Sequence, residues 1–205
     1  MAFSDFDLNK VVTDFSLVEN QTTDLFADIP PLTPATELTR WLDEFGPIAL
    51  GFGSELARSS YIVTPILAEA KRRAGQPVTV IPGVTLDVDK SRGLSGLCDF
   101  LLTHSTNLFT LHGPVFAAVE AKKEDIVGGL GQCAAEMVAI RIFNEREKST
   151  LPAVFGCVTS GNLWRFLKLE GDTLFIDKVE YYLRDLPKLL GILVHIANTP
   201  RSASA

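Results

Sequence analysis

Apolar and polar positions divide the chain into stretches with two different periods, and their order predicts a mixed α/β protein. The residues Val115-Phe116-Ala117-Ala118-Val119 form a continuous apolar run behind Gly113-Pro114, and the run closes on Glu120-Ala121-Lys122. Such a run predicts a strand buried on both faces. A second run, Gly96-Leu97-Cys98-Asp99-Phe100-Leu101-Leu102, is interrupted by one Asp. Val78 to Ile81 and Val84 to Val88 predict an earlier strand broken at Pro82-Gly83. Ala153 to Thr159, Leu163 to Glu170 and Thr173 to Ile176 predict later strands, with turns at Ser160-Gly161-Asn162 and Gly171-Asp172.

Helical spacing fills the intervals. Thr33-Pro34 predicts a helix start, Leu38, Trp41, Leu42 and Phe45 its apolar stripe, and Gly46-Pro47 its end. A longer helix is expected from Ser54 to Ala74, kinked at Pro65 and stopped by Gly75. Its Lys71-Arg72-Arg73 suits a helix C-terminus, with a phosphate contact as the alternative. Gly128 to Gly131 leads into a helix reaching Asn144, and a last helix spans Leu183 to Ala197. The order predicts a mixed central sheet flanked by helices. Residues 1–33 read as an arm that docks on the core or on a partner chain, 34–198 as one α/β domain, and 199–205 as a flexible tail.

Composition narrows the function. A chain of 205 residues suits one domain with a sizeable core. The net charge of −6 argues against tight nonspecific duplex binding through phosphate neutralisation. Cys98, Cys133 and Cys157 lie in apolar surroundings without Cys-x-x-Cys spacing, so buried thiols are expected, with neither a zinc site nor a disulfide framework. His104, His112 and His195 lack ligand spacing and read as structural. No signal-peptide pattern opens the chain, and no stretch approaches the ~18 apolar residues of a membrane span, so a cytoplasmic protein without a membrane partner is expected. The glycines at 128–131 are not followed by Gly-Lys-Ser/Thr, and no Gly-x-Ser-x-Gly occurs.

The chemistry concentrates at the end of the buried run. Glu120 and Lys122 project the same way from a strand. Desolvating both costs several kcal/mol, only partly offset by their pairing, which argues against a purely structural role. If the two apolar strands pair about a turn near Leu108 and Phe109, Asp99 lies across from Glu120. Two carboxylates with a backbone carbonyl and waters suit a hard cation such as Mg²⁺. Lys122 beside them suits orienting or deprotonating a water, or neutralising a phosphate.

An Asp on one strand, Glu-x-Lys on the next, and a helix opening with Gln resembles the PD-(D/E)XK nuclease superfamily. The residues are Asp99, Glu120-Ala121-Lys122, and Gln132 within Gly131-Gln132-Cys133-Ala134-Ala135-Glu136-Met137. The similarity spans Glu55 to Phe166. It departs at Cys98, where a Pro commonly precedes the Asp, and at Glu136, where some members carry Tyr. The resemblance implies a restriction-endonuclease-like fold and metal-dependent hydrolysis of DNA phosphodiester bonds. Asp99 and Glu120 would hold Mg²⁺ or Mn²⁺, Lys122 would position or activate water, and Gln132 would support from the helix. Glu55 would complete the metal shell; its bland reading is a carboxylate suited to a helix N-terminus. A homodimer is a further implication, since many members act as dimers. The alternative is a catalytically inactive nuclease-fold protein serving as a binding or assembly module, which the acidic charge and the lack of a basic stripe keep open.

Overall fold

The computed structural model describes residues 2–149 and 151–199. Eight strands form one mixed sheet. β1 (Val18–Asn20), β2 (Thr79–Asp89), β3 (Leu94–Thr103), β4 (Val115–Ala121), β5 (Val154–Thr159), β6 (Leu163–Glu170) and β7 (Thr173–Ile176) run in the order β1-β7-β6-β5-β4-β3-β2, and β8 (Tyr181–Tyr182) pairs with β6. The pairs β2–β3, β3–β4, β5–β6 and β6–β7 are antiparallel, while β4–β5 and β1–β7 are parallel. The long helix α5 (Ile126–Arg146) makes the crossover that a parallel β4–β5 pair requires.

Two apolar cores lie on the two faces. Phe100, Leu102, Val119, Phe155 and Phe166 belong to one, with α2 (Thr36–Phe52), α4 (Thr64–Arg73) and α6 (Leu186–Ala197) packed over them. Leu101, Ala118, Val158 and Leu167 belong to the other, under α1 (Leu8–Asp14) and α5. Trp164 and Phe166 are fully buried core residues and do not rim a cleft. All three cysteines are buried and free.

Several local expectations are corrected by tertiary context. α2 runs through Gly46-Pro47 and starts after Ala35, not at Thr33; Gly53 stops it at φ +65, with its N–H on Ala49 O. Pro47 forfeits one hydrogen bond, but Ala49 and Leu50 beyond it pack into the core. Pro82-Gly83 does not break β2, because β2 is the sheet edge, where a residue without an N–H is tolerated. Ser54 caps α3 (Glu55–Arg58) as expected, and a π-helical segment, Ser59–Val63, joins it to α4 just ahead of Pro65. There the Thr64 N–H bonds Ser59 O. Arg72 and Arg73 turn onto the buried Glu69 and so serve the fold.

The N-terminal segment docks on the core of its own chain. Phe3, Phe6, Val11 and Leu17 are buried in the α5-side core, and Lys188 Nζ gathers the carbonyls of Phe26, Ala27 and Ile29. At the other end Thr199 is buried and its carbonyl accepts from Gln76 Nε2, so fraying does not begin at 199. The remainder of the expected tail, 200–205, lies outside the described residues. By length and composition α5 is apolar enough to cross a membrane, contrary to the expectation that no stretch would be; 67% of its most apolar window is buried, against β4, β5 and α1.

Asn144 pins the start of β4. Its Oδ1 accepts from Val115 N–H at 2.8 Å and its Nδ2 donates to Val115 O at 2.7 Å, in a buried setting. Asn144→Ala leaves both backbone groups unpaired, with an expected loss of about 2–4 kcal/mol measured by denaturant unfolding. An unchanged midpoint would show that water replaces the amide.

Candidate active site

The site forms where β3 and β4 part. Their register ends at Phe100↔Val119, so Asp99 and Glu120 are the next residues on the two strands, as a turn near Leu108 and Phe109 predicts. There the ladder bond is replaced by a side chain: Ala121 N–H donates to Asp99 Oδ2 at 2.8 Å. β4 stays with β5 beyond that point, through Ala121↔Thr159 and Lys122 N–H to Thr159 O at 2.8 Å. Asp99 therefore bridges the fork between diverging strands.

Behind the fork lies a chain of hydrogen bonds. Lys122 Nζ donates to Glu120 Oε1 at 2.7 Å and to Gln132 Oε1 at 3.0 Å. Gln132 Nε2 donates to Glu136 Oε1 at 3.2 Å. An ammonium only donates, so the Gln132 carbonyl must face Lys122 and its amide nitrogen must face Glu136. The second oxygens of Glu120 and Glu136 are sealed from solvent and receive no N–H or hydroxyl donor. Glu120 lies close enough for its charge to raise the Glu136 carboxyl. α5 sets this up by placing Gln132 and Glu136 one turn apart on the face toward β4. Gly129 brings α5 close, since a Cβ there would crowd Val158 and Lys122. Close packing, not phosphate binding, accounts for that glycine.

The electrostatics follow burial. Glu120 is 3% exposed, and burial, then the Asp99 charge, pushes its carboxyl up to about 7 against the opposing pull of Lys122 and Glu136. Glu136 is fully buried and is raised well above its ordinary value by burial and then by the Glu120 charge, which favours its protonated form. Asp99 is raised by burial, opposed by the Ala121 N–H and Lys122. Burial alone would lower Lys122; the Glu120 hydrogen bond and the Glu120, Asp99 and Glu55 charges outweigh it, so the ammonium stays charged.

Glu55 stands at the rim. It opens α3, is exposed, and accepts from Lys123 N–H at 3.3 Å through Oε1. Together with Asp99, Ser59, Ser60, Pro82 and Gly83 it lines an open cleft of about 440 Å³. The structure thus joins Asp99 to Ala121 and brings Glu120, Lys122 and Gln132 into one hydrogen-bonded chain, with Glu55 beside the cleft that Asp99 lines. Among the described residues no group of three His, Cys, Asp or Glu side chains is disposed to hold a metal ion.

Glu136 is the participant that sequence reasoning missed. Its signal was a lone carboxylate one turn after Gln132 in an apolar helix, and only the strand opposite gives it a partner. The histidines are elsewhere: His104 is buried, with Nδ1 3.0 Å from Pro77 O and its ring stacked on Phe116, while His112 meets Glu147. Between β2 and β3, Lys90 pairs with Asp87 and Arg92 lies over the Phe15 ring of the N-terminal segment. No family model matches the chain, and no curated protein matches it either.

Proposed function

We propose that the chain is a metal-dependent nuclease of the PD-(D/E)XK type, with a restriction-endonuclease-like core, that hydrolyses DNA phosphodiester bonds. The observation that carries this reading is the fork: Asp99 and Glu120 come from parting strands, with a charged Lys122 locked between Glu120 and Gln132. DNA as the substrate rests on the resemblance.

The donors suit a hard divalent cation by chemistry. Asp99, Glu120 and Glu55 offer carboxylate oxygens, the ligands Mg²⁺ or Mn²⁺ prefer. Asp99 Oδ1 takes no hydrogen bond among the described residues, whereas Glu120 Oε1 is engaged by Lys122 and Glu120 Oε2 is sealed from solvent. A bound metal supplies Lewis acidity and a water of lowered pKa. The chain's own part is to fix a positive charge beside that position. Held protonated, Lys122 donates to a phosphate oxygen or orients the water; it does not act as the base in this state.

The test is cleavage of single-stranded, duplex and branched DNA with Mg²⁺, with Mn²⁺ and with chelator. Metal-dependent products are expected from the wild type, and Asp99→Asn and Lys122→Met are expected to lose about 10²-fold or more in rate. Wild-type protein that cleaves none of the panel with either metal would remove the catalytic reading. A second reading, an inactive nuclease-fold binding module, is favoured by one observation: Glu120 is nearly sealed, with Oε1 held by Lys122 and Oε2 shut away from solvent. It predicts that titration calorimetry finds no Mg²⁺ or Mn²⁺ binding by the folded wild type.

A further inference from the structure

Two cationic side chains meet over Gly53, at the turn between α2 and α3. A Cβ there would lie 3.7 Å from Arg58 Nη2 and 3.7 Å from Lys123 Cε. Arg58 comes from the first turn of α3, and Lys123 directly follows Lys122. Neither faces a carboxylate within ion-pair distance among the described residues. Bringing like charges together without a counter-charge is unfavourable, and a bound anion reverses its sign. The guanidinium is preset: Nη1 donates to Ser160 O at 2.7 Å, and the sealed Nε meets no acceptor. Lys123 remains exposed and its ammonium makes no hydrogen bond with a described residue. The Lys123 N–H bond to Glu55 sets Lys123 next to a residue that lines the cleft together with Asp99.

We infer that Arg58 and Lys123, converging over Gly53, form a subsite for a phosphate of a nucleic acid strand, flanking the phosphate at Asp99, Glu120 and Lys122. The nuclease reading supplies the identity of the anion; the convergence supplies the site. A guanidinium suits two phosphate oxygens at once and an ammonium adds a point charge. An internal phosphodiester and a terminal monophosphate offer the same chemistry.

The test is fluorescence anisotropy in chelator, where no cleavage occurs. Labelled duplex with a 5′-phosphate, the same duplex with a 5′-hydroxyl, and single-stranded DNA are titrated between about 50 and 200 mM salt. Lys123→Gln is expected to weaken duplex binding about eightfold at 0.1 M salt and to flatten the slope of log K on log salt by about 0.9. Arg58→Gln is expected to flatten it similarly. Lys148→Gln, at the opposite end of α5, removes the same charge and should leave the slope unchanged. A 5′-phosphate preference in the wild type, lost in Lys123→Gln, assigns the terminal group; equal losses on both duplexes assign an internal phosphodiester. Wild-type slopes in both Lys123→Gln and Arg58→Gln, or no oligonucleotide binding by the wild type, overturn the subsite. If cleavage survives that result, the nuclease reading stands without it. Lys123-dependent binding without cleavage in Mg²⁺ or Mn²⁺ keeps the subsite and removes hydrolysis.

Discussion

Glu120→Gln is expected to abolish metal-dependent cleavage and, in the same molecule, to raise thermal stability above neutral pH. The native carboxyl is raised from 4.5 to about 7, by burial first and then by Asp99. A raised folded pKa means that the native state holds the proton more tightly than the unfolded chain. The stability this contributes is fully present below the unfolded value of 4.5 and is lost as pH rises through about 7. Above that, the wild type carries a penalty on the order of 2–3 kcal/mol for an ionised buried carboxylate. Gln keeps the shape without the charge. Its carbonyl still accepts from Lys122. Thermal unfolding at pH 5 and pH 8 checks this. The wild-type midpoint should fall between the two, and the variant's should fall less. Parallel falls would mean that Glu120 is not the group titrating. With Mg²⁺ present, the wild type should gain stability by mass action and the variant should not.

Gly131→Ala is expected to be among the most damaging single-methyl additions in the chain. Gly131 lies on α5 where the N-terminal segment crosses it, and a Cβ there would overlap the backbone of Phe6 and Asp7. Backbone cannot rotate away as a side chain can. The segment must lift, taking Phe3 and Phe6 out of the α5-side core. Overpacking of this kind costs about 3 kcal/mol, which for a chain of 205 residues lowers the unfolding midpoint by roughly 6–12 °C. Proteolysis should report the same event locally, with trypsin reaching Lys10 faster than in the wild type. Gly191 on α6 is the counterpart, crossed by the Pro30 carbonyl, so Gly191→Ala should free the other end of the segment. An unchanged midpoint in Gly131→Ala would show that the segment crosses α5 more loosely than described.

These two glycines and the hydrogen-bonded chain from Glu120 to Glu136 mark the boundary of what the amino-acid order reveals. By itself it determined the strands from Thr79 to Ile176, the long central helix, the mixed sheet, and the placement of Asp99 next to Glu120 across a fork. Burial on one face or two imposes a period of two or of 3.6 residues, and a period is a local property. It also marked Glu120 and Lys122 as chemically costly in an apolar setting, while Gln132 entered only through the resemblance. Tertiary structure alone decided whether each breaker would break. Pro82 persists because β2 became an edge, and Pro47 because the helix beyond it had a core to enter. It turned the unreadable N-terminal segment into a cover for α5 and α6, which depends on two glycines more than a hundred residues away in sequence. It also made Glu136 a member of the site. A carboxylate on an apolar helix is ambiguous until something lies opposite it, and here the group opposite is Glu120, held in place by a strand that no helical period can announce.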